Sequence, residues 1–172
     1  MVEILIKRVL LEDIELLQKI GRQTFSETFS SSNSSENMQK YLEESFAKEK
    51  LILELQNVNS IFFFAQYENE VVGYLKINFG ANQTELKDDK AVEIERIYVL
   101  QAYQGNKIGQ LLYEKAIQVA NESKADYIWL GVWEENQKAI KFYTKNGFVP
   151  FDKHIFKLGH EEQTDIMMKL EL

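Results

Sequence analysis

Residues Ala91–Asn121 read AVEIERIYVLQAYQGNKIGQLLYEKAIQVAN, and this stretch decides the fold. Val92–Val99 is an extended run, Leu100–Tyr103 a short connection, and Gln104-Gly105-Asn106-Lys107 a polar turn that leads straight into a helix. Ile108, Leu111, Leu112, Ala116, Val119 and Ala120 keep helical spacing, which predicts one buried face. The turn therefore falls at a helix start, where the first backbone N–H groups have no carbonyl partner and the peptide dipoles present their positive end. Strand, polar turn and helix in this order predict a docking point for a phosphate or pyrophosphate.

Working outward, Val2–Val9 reads as a first strand, followed by a turn at Leu10–Leu11 and a helix that Asp13 is placed to cap. The run SSSNSS at 30–35 is a break, after which Ser34 or Ser35 can cap a helix carrying Met38, Tyr41, Leu42 and Phe46. A third helix spans about 48–56. Ile61–Ala65 is apolar without interruption, as in a strand covered on both faces, and Glu68-Asn69-Glu70 turns it back into Val71–Phe79. Gly80–Lys90 is polar and irregular. Downstream of the long helix come a strand at Tyr127–Val132, a helix at Gln137–Lys145 that Gly147 ends, and closing strands at Phe148–Leu158 and Thr164–Leu170 joined by Gly159–Gln163. This order predicts an α/β (α+β) fold: one domain over residues 1–172, with a single mixed central sheet of about six to seven strands and helices on both faces.

Composition narrows the function. The net charge of −7 argues against nucleic acid as a partner and suits a cationic substrate. With no cysteine, thiolate nucleophiles, zinc–thiolate sites and disulfides are excluded. His154 and His160 lack metal-ligand spacing and a nearby partner, so no metal is expected. Early charges and the lack of a long apolar run predict neither a secretory signal nor a membrane span, and a cytoplasmic protein is the expectation.

Two strings carry a resemblance. Gln104-Gly105-Asn106-Lys107-Ile108-Gly109 resembles the Gln/Arg-x-x-Gly-x-Gly/Ala acetyl-CoA loop of the GCN5-related N-acetyltransferase (GNAT) superfamily, and the run from Asn136 through Ala139, Phe142 and Tyr143 to Gly147-Phe148 resembles its second signature. Segments at 93–99, 128–134 and 161–165, with Thr24-Phe25, Thr28-Phe29 and Phe62–Phe64, are similar to the PaiA-type bacterial polyamine N-acetyltransferases. The resemblance implies acetyl transfer from acetyl-CoA to a primary amine, with spermidine or spermine as the leading acceptor. Its alternatives are acetylation of a protein N-terminus or lysine, or a degenerate CoA-binding module. A homodimer is compatible with the family.

The same resemblance implies roles by residue. Gln104 to Gly109 would bind the diphosphate, and Ile97, Tyr98 and Val99 would lie along the pantetheine arm and stabilise the thioester oxygen. Asn136 and Ala139 would border the cofactor, and Tyr143 would protonate the departing thiolate. Glu95 is the matched base, read as facing the same way as Ile97 and Val99. An ion pair with a neighbouring Lys or Arg is the competing reading for Glu95, and Glu93 is the other candidate base. Trp129 and Trp133 alternate on one strand face. Trp133 could wall the amine site, and Glu27 could line an acidic entrance to it. Lys107 stands where the family's loop has its first glycine, and is expected to use an ordinary backbone conformation while its ammonium helps neutralise phosphate.

Overall fold

In the computed structural model, which describes residues 3–172, seven strands form one sheet in the order β1-β2-β3-β4-β5-β7-β6. They are β1 (Ile4–Arg8), β2 (Ser60–Tyr67), β3 (Glu70–Phe79), β4 (Ala91–Val99), β5 (Tyr127–Trp133), β6 (Val149–Leu158) and β7 (Glu161–Glu171). Five α-helices connect them: α1 (Ile14–Phe29), α2 (Ser35–Ser45), α3 (Lys48–Gln56), α4 (Ile108–Glu122) and α5 (Gln137–Lys145). All neighbouring strands are antiparallel except β4 and β5, which α4 joins as a parallel pair. The expected mixed sheet with helices on both faces is thus the fold.

Period-two alternation sends successive side chains to two cores. Leu75, Ile77, Val92 and Ile94 pack with Ile108, Leu112 and Ala116 of α4 and with Tyr143 and Phe148 on one face. Phe62, Phe64 and Tyr74 pack with Leu17, Ile20 and Phe25 of α1 and Leu51 of α3 on the other. The continuous apolar run of β2 follows from this, because both of its faces are covered.

Local signals act where chemistry allows. Ser34 Oγ accepts the Asn37 N–H at 3.1 Å and starts α2, and Gly147 ends α5 with φ +96°. Pro150, which has no N–H to donate, lies on the edge strand β6. Asp13 departs from expectation: it makes no side-chain cap for α1, because its carboxylate instead accepts the Leu10 N–H at 2.9 Å across a tight turn at Leu11–Asp13. The last strand also runs longer than predicted, Glu161–Glu171 against Thr164–Leu170, leaving only Gly159-His160 as the turn, since β6 and β7 pair out to Leu158 and Glu161. The predicted start of the first strand at Val2 lies outside the described residues.

Candidate active site

The sheet opens between β4 and β5. Their pairing runs only from Ala91 opposite Tyr127 to Ile94 opposite Leu130; beyond it, β4 stays with β3 while β5 continues along β7. Residues 95–99 therefore have one free edge. Leu100 N–H donates to Val72 O at 2.9 Å, and the two-residue alternation of an antiparallel ladder then turns the N–H groups of Ile97 and Val99 away from β3, toward the opening. A cavity of about 1540 Å³ occupies this parting, and it is lined by the turn before α4, by Tyr143, and by Glu93 and Glu95.

At the turn, Gln104 Nε2 donates to Val99 O at 3.2 Å and Asn106 Nδ2 to Tyr103 O at 3.0 Å, so both side chains shape the loop itself. The first intrahelical bond of α4 is Leu111 N–H to Lys107 O, and no side chain among the described residues caps the amides ahead of it. Lys107 adopts φ +62° and ψ +16°, which corrects the expectation of an ordinary conformation: the lysine takes the left-handed backbone in which a glycine would be unstrained. Among the described residues nothing outside the helix itself stands within 4 Å of where a Cβ on Gly109 would lie, so the approach to these amides is open. Ile108 fixes the helix start by burying its side chain under the sheet. Uncapped N–H groups, an open approach, and the side chains of Lys107, Lys138 and Lys145 around one cavity suit a diphosphate.

Tyr143 projects from α5 into the cavity wall with its ring against Phe142 and Phe148, at centroid distances of 5.4 and 5.6 Å. Burial pushes its hydroxyl well above the ordinary phenol range, with a smaller contribution from Tyr113. Asn136 starts α5 by accepting the Ala139 N–H at 3.2 Å, which makes it a helix cap, and both residues line the cavity.

The two carboxylates are not alike. A bulge in β4 leaves Glu95 without a partner on β3, since Arg96 pairs with Lys76 and Ile94 with Ile77. This shifts the alternation by one residue and corrects the expected orientation. Ile97 and Val99 join the α4 core, whereas Glu95 joins Lys76, Asn78 and Arg96 on the α1–α3 face. The competing reading of an ion pair is what the geometry gives: Lys76 Nζ lies 3.0 Å and Arg96 Nε 3.2 Å from Glu95 Oε2. Burial alone would raise its pKa, but Arg96, Lys76 and Asn78 together hold the carboxyl at about 2. Glu93 is shifted the other way. Burial raises its pKa against hydrogen bonds from Thr84 Oγ1, from Asn78 Nδ2 at 3.0 Å and from Thr84 N at 2.8 Å. Lys76 also contacts Glu54 of α3, so four charges meet beneath the bulge.

Glu27 lines the cavity, but both of its oxygens are engaged, Oε2 by the Gln101 N–H at 2.7 Å and Oε1 by Gln23 at 3.3 Å. Trp133 lines the cavity beside Phe29, at 5.8 Å between ring centroids, while Trp129 is buried and donates to Gln83 at 2.7 Å. His154, expected to stand alone, has two acidic neighbours, Glu85 at 3.3 Å and Asp165 at 3.6 Å. Its partners come from a loop and from β7, so nothing near it in sequence announced them. Lys76 and Asn78 left a fainter sign, as polar residues alternating through an otherwise apolar strand.

Among the described residues, no group of three or more His, Cys, Asp or Glu side chains is arranged to hold a metal, and no helix is long and apolar enough to cross a membrane. Comparison with known proteins agrees with the geometry. An uncharacterized N-acetyltransferase of Lactobacillus delbrueckii subsp. lactis is 38% identical over 161 residues, 94% of this chain and 93% of its own. A spermidine N(1)-acetyltransferase of Thermoplasma acidophilum is 27% identical over 147 residues, 83% of this chain and 86% of its own. The crystal structure of the PaiA N-acetyltransferase of that organism in complex with coenzyme A superposes with a TM-score of 0.81 at 25% identity, over 99% of each chain. The acetyltransferase (GNAT) family model matches residues 22–148, and this chain belongs to that family.

Proposed function

We propose that the protein transfers an acetyl group from acetyl-CoA to a primary amine of a small polyamine. One observation carries this reading: the uncapped start of α4, the free edge of β4, Tyr143 and two carboxylates line the same cavity. When bound, acetyl-CoA supplies the thioester carbonyl that the amine attacks and the thiolate that leaves. The amides from Lys107 to Gln110 hold the diphosphate, helped by the ammonium groups of Lys107 and Lys138. The outward N–H groups of Ile97 and Val99 donate to the cofactor arm and to the negative charge that develops on the carbonyl oxygen.

The amine must lose a proton to attack. Glu95, held at about 2 with both oxygens engaged by Lys76, Arg96 and Asn78, is a weak base near neutrality and fixes the wall of the site rather than taking the proton. Glu93, whose burial raises its affinity for protons, is the better acceptor and reaches the amine through water. Tyr143 stays protonated and donates a hydrogen bond to the leaving sulfur. Similarity to the spermidine acetyltransferase of T. acidophilum supports a polyamine as the acceptor. The degenerate-module reading has less support, since Lys107 keeps the left-handed backbone that the loop needs.

The test is thiol release from acetyl-CoA with a panel of polyamines, amino acids and peptides. Turnover with spermidine or spermine at a kcat/KM well above that for peptides is expected. Turnover on peptides alone would overturn the acceptor assignment, and coenzyme A binding without turnover on any amine would overturn the transfer reading.

A further inference from the structure

Behind the two carboxylates runs a chain of polar side chains. Ser60 of β2, Asn78 of β3 and Glu93 of β4 are register partners, so they stand in one row across three strands, and all three are buried. The Asn78 amide spends its two hydrogens on carboxylates: Nδ2 donates to Glu93 Oε1 at 3.0 Å and to Glu95 Oε1 at 2.9 Å. Its Oδ1 accepts the Ser60 hydroxyl at 2.9 Å. Ser60 Oγ in turn accepts Asn82 Nδ2 at 2.6 Å, and Asn82 Oδ1 accepts Asn57 Nδ2 at 3.1 Å. The chain begins at the Asn59 backbone N–H, which donates to Asn57 Oδ1 at 2.9 Å. A backbone N–H can only donate, so this first link fixes the direction of each later one. The Asn78 amide cannot turn over without breaking the chain.

The effect on Glu93 follows from its acceptor positions. Oε1 takes the Asn78 amide and the Thr84 N–H at 2.8 Å, which fills both of its lone-pair positions. Oε2 takes only the Thr84 hydroxyl, so one position remains there for a proton. We infer that Asn78, oriented from behind by Ser60 and Asn82, is a positioning residue that leaves Glu93 a single free oxygen position to take the proton of the acceptor amine. The inference rests on the amine-acetylation reading and names what orients its proton acceptor: the proton passes from the ammonium through water to Glu93 Oε2, and the neutral nitrogen attacks. Glu93 lines the cavity and Asn78 does not, so Asn78 acts through Glu93 rather than on the substrate. Burial raises the Glu93 pKa against the bonds from Thr84 and Asn78, so loss of the Asn78 bond moves it further up. Among the charged groups around it, Glu95 on the same strand adds a smaller upward push. Lys76 of β3 and Arg96 of β4 are paired with Glu95 and with Glu54 of α3. Glu85 of the loop before β4 lies against His154 of β6, whose other neighbour is Asp165 of β7. Trp129, opposite Glu93 on β5, carries no charge.

The experiment titrates the carbon-13-labelled glutamate carboxyls by NMR in the wild type, Asn78→Leu and Ser60→Ala, with Glu93→Gln to assign the Glu93 resonance. It also follows kcat/KM for spermidine acetylation over the same pH range. The Glu93 midpoint and the acid limb of kcat/KM are expected to rise together. The shift is about one pH unit for Asn78→Leu, the worth of one hydrogen bond to a charged group. It is smaller for Ser60→Ala, which frees the Asn78 amide but leaves it in place. Glu95 does not confuse the reading, because Arg96 and Lys76 hold it at about 2 against its burial. A fall in kcat/KM at every pH, with midpoint and limb unmoved, would make Asn78 a packing residue and overturn the inference. A midpoint that rises while the limb stays in place would overturn it too, since Glu93 would not be taking the proton. Ser60→Ala removes one oxygen only and carries the test if Asn78→Leu does not fold. An unmoved limb with turnover intact sinks the inference alone; no turnover on any amine, with the NMR shift present, sinks the transfer reading and the role built on it.

Discussion

Tyr143 is a phenol whose proton is held more tightly than usual, because burial disfavours its charged form. Full proton transfer to a thiolate of ordinary pKa ~8.5 is then uphill, and in the proposed transfer the hydroxyl would act mainly by hydrogen bonding to charge that appears only as the C–S bond breaks. Tyr143→Phe should therefore lower kcat by about 100-fold while coenzyme A affinity holds. Equal losses in turnover and in calorimetric affinity would assign Tyr143 to packing instead. Lys107 raises a second question at this scale, because its left-handed backbone is uncommon for a residue with a Cβ. If backbone shape matters more than the ammonium, Lys107→Gly keeps coenzyme A affinity within about threefold. Lys107→Val, β-branched at positive φ, loses affinity and about 1–2 kcal/mol of stability by chemical denaturation. Affinity lost equally in both variants would assign the role to the charge.

At the scale of elements, the bulge in β4 determines what Glu95 can do. It turns the carboxylate toward Lys76 and Arg96 and leaves Ile97 and Val99 facing α4. Because the folded-state pKa of about 2 lies below the ordinary 4.5, ionised Glu95 stabilises the fold above pH ~4.5, and that contribution is lost as pH falls toward 2. Urea midpoints followed from pH 5 to 2 should drop more steeply for wild type than for Glu95→Gln, and parallel curves would contradict the ion-pair account. The helices, the β2–β3 hairpin and both signature loops could be read from sequence because their causes are local: helical spacing, Ser34, Asn136, Gly147. The orientation of Glu95 could not, since one extra residue in a strand leaves no periodic trace until the partner strand is known. His154 was misjudged for the same reason, its partners lying 69 and 11 residues away, at Glu85 and Asp165.

At the scale of the whole molecule, two pieces of chemistry meet where a seven-stranded sheet comes apart. The α4 side presents amides and lysines; the α1–α3 side presents carboxylates, those of Glu54 and Glu95 paired with Lys76 and Arg96. The parting between them also exposes the N–H groups of Ile97 and Val99, so in the proposed transfer one irregularity would supply polarity, positioning and oxyanion stabilisation. A crystal structure of the protein grown with coenzyme A tests this arrangement most directly. The account predicts the diphosphate on the amides of Lys107–Gln110, the pantetheine arm along Ile97–Val99, and the sulfur within hydrogen-bonding distance of Tyr143 Oη. Coenzyme A seated elsewhere, or with its sulfur turned away from Tyr143 and the β4 edge, would contradict it.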